Sequence, residues 1–348
     1  MVTSSGLLGQ SRFVREVHQA SAPGVAARAA EVARRWRYDW VVVTEDGLLG
    51  EIARLPIPLE ERLALLPVAH PNGLPHLHSK IGLSQALERH GLRTPAYAVA
   101  RTVDEALKAA SRIGFPLILK ADASCGGKGA FACATAEQLP RLAEVFDGRP
   151  VLVQQWIEGR KFDADPLYLR GQLVRTAVAY TQSSRGPFGV SKIRSYVPPA
   201  LVRDALLQEL AQIGQALHAH GFANVTAIED AAGRRHYFEA DMGPNVWADH
   251  GRFVGCDMAE SIRAWFRAEP LPPVQGSSPL QRPLPIPHVA RMSPWELLRH
   301  PLEAWRYRPS GDAWLVFLLT ARHAVPARLR RALRARAFRL QSPMPDRP

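Results

Sequence analysis

The chain has 348 residues, of which 47% are hydrophobic, so it can bury a substantial core and fits two to three compact units. It contains no run of 18 or more apolar residues, which argues against a membrane-spanning helix, and we expect no signal peptide because no basic region precedes an apolar block at the N-terminus. The net charge of +12 suits acidic partners but does not choose among nucleotides, phosphorylated substrates, anionic lipids and nucleic acids.

Three scattered cysteines are too few for a disulfide framework or a zinc site, so we expect a reduced, cytoplasmic setting. Near the start, residues 24–36 read as a helix rich in Ala, Val and Arg. Four apolar residues within 39–44 predict a buried parallel strand, which would complete half of a βαβ unit. Because residues 4–9 read as a loop, we expect an N-terminal domain over 1–75 that lacks its first strand.

A second region, residues 76–157, mixes helices and strands. The pattern predicts helices over 78–90 and 103–112, a short strand opening at Pro95, a helix capped by Thr135, and strands over 115–121, 130–134 and 151–157. A glycine-rich loop, residues 124–129, joins two of these strands.

The third region, residues 158–270, begins with predicted strands over 162–169 and 172–181 and a polar loop over 182–191. Apolar residues at helical spacing predict a helix over 201–220, followed by a hairpin of 225–230 and 234–241 and a helix over 258–267. Residues 271–348 read as a Pro-rich linker and a helical basic tail.

The glycine-rich loop suits phosphate binding. Gly126, Gly127 and Gly129 would let the backbone approach a phosphate closely, and Lys128 and Lys120 add positive charge. The loop has the spacing of neither a Walker P-loop nor a dinucleotide fingerprint, and on its own it could be an ordinary hairpin turn.

The order of the elements is more specific. Lys80 at a helix start and Lys120 at a strand end precede the loop; a strand leading into 157–159 follows it, and a hairpin ends in 237–241. This series resembles the ATP-grasp superfamily, which includes D-alanine–D-alanine ligase and biotin carboxylase. The resemblance implies an α/β and α+β fold in which the lid (76–157) and core (158–270) subdomains clasp ATP beside an N-terminal βα domain.

The resemblance also implies roles for individual residues. ATP would be bound by the two lysines, the loop and the hinge strand, with backbone groups of Gln155 and Ile157 reading the base: Lys80, Lys120, Ser124, Gly126, Gly127, Lys128, Gly129, Gln154, Gln155, Trp156 and Ile157. Glu239 and Asp241 would hold Mg²⁺, or Mn²⁺, since carboxylates two residues apart on a strand share a face. Lys192, Arg194 and Asn245 are candidates for the acceptor side of the reaction, where Lys192 and Arg194 could stabilise the transferred phosphate. Alternatively, these two residues are ordinary surface charges.

The chain departs from the family pattern at several of these positions. Gln154 stands where an acidic residue is usual, and Lys161 where another acid binds ribose. Thr226 and Ala227 occupy the place of the first metal carboxylate, and Asp241 replaces the usual asparagine of the last motif, restoring one charge.

The function implied by the resemblance is an ATP-dependent ligase, which activates a small carboxylate as an acyl phosphate for attack by an amine or thiol. The departures keep a rival open, a nucleotide-binding protein with impaired catalysis. Seven arginines and no acidic residue lie within 322–339. This stretch is either a solvated basic tail or a surface that contacts anionic lipid at the inner face of a membrane. The tail lacks interleaved aromatic residues, which argues against nucleic-acid binding.

Overall fold

The computed structural model describes residues 1–274 except 4–10, 12, 22–23, 37, 125–126, 128, 147 and 185, together with the strand Leu284–Pro285. Contacts divide the chain into two compact units, Met1–Pro23 with Pro287–Pro348 and, separately, Gly24–Ile286. In the described part of the first unit, β1 (Val2–Thr3) pairs in parallel with β2 (His18–Gln19). The arginine-rich tail lies outside the described residues, so its predicted helix and membrane contact stay predictions.

The second unit carries the helices and the larger sheets. Its α-helices are α1 (Val25–Arg35), α2 (Asp46–Ala53), α3 (Leu59–Leu65), α4 (Lys80–Arg89), α5 (Val103–Ile113), α6 (Asp204–Ala216) and α7 (Met258–Phe266). Its strands are β3 (Tyr97–Ala100), β4 (Leu117–Ala121), β5 (Ala130–Cys133), β6 (Val151–Gln155), β7 (Arg160–Leu169), β8 (Gln172–Ser184), β9 (Ser191–Tyr196), β10 (Gly221–Phe222), β11 (Asn224–Glu229), β12 (Arg235–Asp241) and β13 (Leu284–Pro285). Shorter 3₁₀ helices span Pro71–His76, Ala136–Val145, Pro199–Leu201 and His250–Val254.

A four-stranded antiparallel sheet, in the order β3-β6-β4-β5, forms the smaller lobe. Leu117 and Leu119 of β4 and Val153 of β6 point to one face, where they pack against α5 in a core of their own. Side chains alternate along a strand, so residues 118, 120, 152 and 154 point to the opposite face.

A larger antiparallel sheet, in the order β12-β11-β7-β8-β9-β13 with β10 paired to β7, forms the second lobe. Its core face packs against residues of α1 to α4 and α6, so the N-terminal helices and the sheet share one hydrophobic core. Phe162, Ala164 and Val225 point into this core, which places Asp163 and Asp165 on the other face.

A bulge in the register of β11 and β12 sets which carboxylates leave the core. Ala227 pairs with Tyr237, but Thr226 pairs with Glu239, so one residue of β12 is extra. Because of the extra residue, Tyr237 points into the core while Glu239, only two positions later, points to the polar face.

Most predicted elements are confirmed within a few residues, but three predictions are wrong. The described residues 39–45 form no strand; Val43 is buried among the helices while Val42 is exposed, so the apolar run packs without a ladder. The Pro-rich stretch 55–75, whose composition predicts a connection without secondary structure, contains α3. The polar loop predicted over 182–191 is shorter, because β8 runs to Ser184 and β9 begins at Ser191. No helix among the described residues is long and apolar enough to cross a membrane.

Candidate active site

Lys120 lies at the end of β4 on the face away from the small core. Its side chain is buried, and Nζ donates a hydrogen bond of 2.7 Å to Oε1 of Gln154. The ammonium group also lies 4.4 Å from the centre of the Phe238 ring, which belongs to the other lobe. Burial lowers the pKa of Lys120 to about 8, and the nearby charge of Glu239 opposes this shift.

Lys80 lies at the first position of α4, where Ser79 caps the helix by accepting from Gly82 N at 2.9 Å. Nζ of Lys80 donates to the backbone oxygens of Asp122 and Ser124. Ser79 donates in turn to the Asp122 carboxylate at 3.0 Å. These bonds tie the start of α4 to the start of the glycine-rich loop, so both predicted phosphate lysines lie at the same loop.

The described part of the glycine-rich loop approaches the other lobe. Gly127 has φ +77°, and a Cβ there would lie 2.3 Å from the carbonyl oxygen of Phe188. A Cβ on Gly129 would lie 2.5 Å from Oγ of Ser124, so neither position accepts a side chain without movement. Gly126 and Lys128, also predicted to bind ATP, lie outside the described residues.

The predicted base-reading segment, Gln154 to Ile157, comprises the last two residues of β6 and the two residues after it. The N–H of Gln155 already donates to Ala96 O at 2.8 Å, and the N–H of Trp156 donates to Pro116 O at 3.0 Å. The Ile157 N–H makes no hydrogen bond with the described part of the chain. The Trp156 ring meets Phe188 edge to face at 6.2 Å, beside the loop tip.

Glu239 and Asp241 lie on the polar face of β12, as the sequence predicts. Burial raises the pKa of Asp241 well above its usual value, and the negative charges of Glu239 and Asp46 raise it further. Lys80 and Lys161 oppose this shift, which places both lysines near the carboxylates. The clustered negative charge favours a cation at this position.

Asp46 is a third carboxylate at this position, which sequence reasoning missed. Asp46 is the first residue of α2, and its carboxylate makes no hydrogen bond or ion pair with the described residues. Burial raises its pKa, the neighbouring His78 lowers it and Glu239 raises it. The segment Glu45-Asp46-Gly47 reads as a turn, so no sequence signal separates Asp46 from ordinary loop acids.

A small cavity joins these groups across the lobes. It is lined by the helix starts, the loop and β12, with the polar residues Asp46, His78, Ser79, Lys80, Ser124, Glu239 and Asp241. His78 has a positive φ of 58°, a conformation in which non-glycine residues are uncommon and often functional. Among the described residues, no group of three or more His, Cys, Asp or Glu side chains is arranged to hold a metal by itself.

Arg194 lies on the same polar face, at the centre of a buried network. Its guanidinium contacts Asp163 at 3.0 Å and Asp165 at 3.1 Å. Asn224 and Asn245 donate to the same oxygen of Asp165, at 2.8 and 3.1 Å. Burial raises the pKa of Asp165, and the Arg194 charge opposes this shift. Asp163 pairs with Thr226, which pairs with Glu239, and Asn224 pairs with Asp241, so the network adjoins the metal candidates on the same face of the sheet.

Two of the three predicted acceptor residues belong to this network. Arg194 already has two carboxylate partners, and Asn245 donates to Asp165, whereas Lys192 is exposed and contacts no partner among the described residues. The structure therefore brings Arg194 and Asn245 together and leaves Lys192 apart. Alternation in Phe162-Asp-Ala-Asp165, polar against apolar, is the sequence signal that could have found both aspartates.

The arrangement of two lobes, a glycine-rich loop and paired carboxylates agrees with comparison to known proteins. A family model described as the ATP-grasp domain matches residues 85–165. Residues 85–165 therefore belong to an ATP-grasp domain. The match covers the second half of α4, the small sheet with Lys120 and the start of β7. The predicted family and fold class are thus confirmed.

The relatives that part of the chain matches include ligases of different reactions. D-alanine--D-alanine ligase B of Pseudomonas syringae pv. tomato is 28% identical over 181 residues, which cover 49% of the chain and 56% of the relative. The carbamoyl phosphate synthase large chain of Rubrobacter xylanophilus is 35% identical over 148 residues, covering 39% of the chain and 14% of the relative. The match thus spans about half, or far less, of each relative.

A solved structure supports the same fold. The biotin carboxylase domain of Hydrogenobacter thermophilus 2-oxoglutarate carboxylase, in complex with MgADP, ADP and bicarbonate, matches with a TM-score of 0.61 at 17% identity. The match covers 79% of this chain and 65% of that one. At this identity, the likeness concerns the ATP-grasp fold.

Proposed function

We propose that the chain is an ATP-dependent ligase that activates a carboxylate as an acyl phosphate, which an amine or thiol then attacks. The observation that carries the proposal is the convergence of Lys80 and Lys120, from the lid side, on Glu239 and Asp241 of the other lobe. Cations for phosphate and carboxylates for a metal face each other at one cleft, as phosphoryl transfer requires.

The residues present fit the phosphates of a nucleotide. Lys120 is a buried cation without a carboxylate partner within ion-pair distance among the described residues, so a phosphate would supply the charge it lacks. Lys80 is held to the loop start, and Gly127 and Gly129 place no side chain between the loop backbone and a phosphate. The free N–H of Ile157 supports the base at the hinge.

The residues also fit Mg²⁺ or Mn²⁺, provided a nucleotide is present. Mg²⁺ is usually held by one or two protein carboxylates together with substrate phosphates, and Glu239 and Asp241 would supply the two carboxylates. The raised pKa of Asp241 marks unrelieved negative charge that a divalent ion would neutralise. When bound, the ion would offset charge on the transferring phosphoryl group.

In the proposed reaction, a carboxylate oxygen attacks the γ-phosphorus and ADP leaves with the bridging electron pair. The amine or thiol then attacks the acyl carbon, and phosphate leaves. Lys80 and Lys120 would hold and neutralise the phosphates, and the loop at Gly127 would exclude water. Positioning and electrostatics supply most of the rate enhancement in such transfers.

A second candidate, a nucleotide-binding protein with impaired catalysis, is favoured by one observation. On β11 the residue opposite Glu239 is Thr226, whose hydroxyl donates to Asp163 at 3.3 Å, and Ala227 offers no oxygen. Opposite Glu239, β11 therefore offers no carboxylate that could bind a metal. Contact of the arginine-rich tail with anionic membrane, and a cytoplasmic setting, stay predictions.

ADP release separates the two candidates. The full chain is incubated with ATP, Mg²⁺ and a pool of amino acids and simple carboxylic acids, and hydroxylamine is added to trap acyl phosphates as hydroxamates. A ligase releases ADP and forms hydroxamate in proportion to it. A chain that binds ATP in calorimetry but releases no ADP with any pool would overturn the ligase proposal in favour of the impaired one.

A further inference from the structure

A cavity of about 560 Å³ lies at the edge of β8, apart from the residues of the candidate active site. It exists because β9 is shorter than β8: β9 pairs with β8 from Ala179 onward, and Val197 closes the pairing at Val178. Residues 172–177 of β8 therefore have no strand on that side among the described residues. The volume falls in the range of about 300 to 1,000 Å³ common for small-molecule sites.

The walls of the cavity are mostly apolar. β8, the segment after β9, α6 and the segment before α7 contribute Leu173, Val197, Val202, Leu207, Ala211 and Cys256. Most of these side chains are only half-buried, although Leu173, Val197 and Val202 also pack against the large core. An apolar occupant would remove the remaining apolar surface from water, at about 25 cal/mol per Å².

Arg175 gives the cavity a fixed positive charge at one end. Its Nε donates to Oγ of Ser261 at 3.0 Å, and Nη2 donates to the carbonyl oxygen of Pro272, so neutral acceptors hold the guanidinium in place. Nη1 makes no hydrogen bond with the described residues, and no carboxylate among them lies within 4.0 Å of the Arg175 guanidinium. A half-buried arginine without an anionic partner is a preorganised contact for a ligand anion.

Other charged groups nearby are already engaged or exposed. Arg175 also borders a polar recess lined by Arg252, Asp257 and Glu260. Arg252 pairs with Asp249 at 2.8 Å, and Asp257 caps α7 through the N–H groups of Ala259 and Glu260. Arg175 is thus the charge that an occupant of the apolar cavity would meet.

We propose that this cavity binds an aliphatic carboxylate, with the hydrocarbon body against α6 and β8 and the carboxylate on Arg175. The site goes beyond the ligase reaction and shares no residue with its cleft. Bidentate geometry favours a carboxylate over a neutral head group, because the guanidinium offers parallel N–H donors. Ala211 on α6 lines the wall opposite β8 and sets how much hydrocarbon fits.

Calorimetry with octanoate and 1-octanol, which share a hydrocarbon chain but differ in charge, tests the proposal on the full chain. Octanoate should bind with a negative heat-capacity change, the mark of apolar burial. Arg175→Met should weaken octanoate at least tenfold, about 1.4 kcal/mol, and leave 1-octanol unchanged, while Arg175→Lys keeps most of the octanoate affinity. Ala211→Trp should remove binding of both by filling the cavity.

Ala211→Met, a smaller change, gives the same direction if the tryptophan variant does not fold, and unchanged ATP affinity reports an intact fold in each variant. The proposal is overturned if octanoate binds the Ala211 variants as tightly as it binds the parent chain. It is also overturned if octanoate gives neither heat nor a thermal shift with the parent. Equal loss of octanoate and 1-octanol in Arg175→Met also overturns it, since Arg175 would then be structural. None of these outcomes depends on ligase activity.

Discussion

The ammonium group of Lys120 and the amide of Gln154 are 2.7 Å apart, and the amide oxygen faces the lysine. Because Lys120 can only donate, the orientation of the amide is fixed, and Nε2 of Gln154 is left buried without a partner. A neutral amide at this position, in place of an acid, leaves the lysine without a counter-ion. Burial lowers the pKa of this lysine to about 8, and the charge of Glu239 opposes the shift.

The first prediction is that nucleotide affinity depends on this lysine and on pH. Lys120→Met should weaken ATP binding at pH 7 at least tenfold, about 1.4 kcal/mol. In the parent chain, affinity should fall as the pH rises above 8, because the free lysine then loses the proton that phosphate binding needs. Calorimetry from pH 7 to 9.5 measures both effects.

Gln154→Glu supplies the matched control for the pH effect. A carboxylate beside Lys120 raises the pKa of the lysine, so the loss of affinity should move to higher pH. Lys120→Met should show a flatter profile than the parent. Parallel profiles for all three proteins would remove Lys120 from the nucleotide site.

The second prediction concerns the metal. Glu239→Gln removes one of the two carboxylates on β12, so Mn²⁺ binding in the presence of ATP should weaken strongly and any ADP release should cease. Electron paramagnetic resonance of free Mn²⁺ measures binding without relying on turnover. Glu51→Gln, an exposed residue of α2, is the control and should change neither quantity. Unaltered Mn²⁺ binding in a folded Glu239→Gln variant would exclude Glu239 as a ligand.

The third prediction is that Asp46 destabilises the chain in the absence of cations. Burial and the Glu239 charge raise the pKa of Asp46, so the folded state binds its proton more tightly and stability falls as the pH rises above 3.8. Asp46→Asn should therefore be more stable than the parent at pH 7, and the difference should shrink toward pH 4. Urea unfolding across this range measures it. A variant less stable at pH 7 would show that Asp46 makes a favourable contact.

The sequence predicts those parts of the site that depend on neighbouring residues of one element, and it misses those that depend on contacts between distant elements. The order of Lys80, Lys120 and the glycines is local to each element, and the hairpin motif places Glu239 and Asp241 on one strand face. Asp46 reaches the cleft only because α2 packs on the large sheet, a contact no local pattern encodes. The partners of Arg194 likewise depend on strand pairing across β7 to β9, and the sequence analysis assigns no element to residues 192–196 of β9.

The fourth prediction separates the roles of Lys192 and Arg194. Arg194→Met leaves Asp163 and Asp165 buried without a cation and should destabilise the chain by about 3 to 5 kcal/mol. Lys192→Met, at an exposed position of the same strand, should change stability by less than about 0.5 kcal/mol. Urea unfolding compares the two. If Arg194→Met folds with parental stability but loses ADP release, Arg194 acts on substrate rather than on the two aspartates.

The last prediction concerns the approach of the glycine-rich loop to the other lobe. Gly127→Ala places a Cβ 2.3 Å from the carbonyl oxygen of Phe188 and strains a backbone with φ +77°, so the loop must move away from residue 188. If this contact closes the lid over nucleotide, the variant should bind ATP more weakly while its global stability changes little. Gly91→Ala is the matched control, since Gly91 has φ +68° but nothing within 4 Å of a Cβ. Its backbone strain, about 1 kcal/mol, should lower stability and leave ATP affinity unchanged. Calorimetry with ATP and urea unfolding of both variants distinguish the effects. Equal ATP affinity in both variants and the parent would show that the loop tip does not close over the nucleotide.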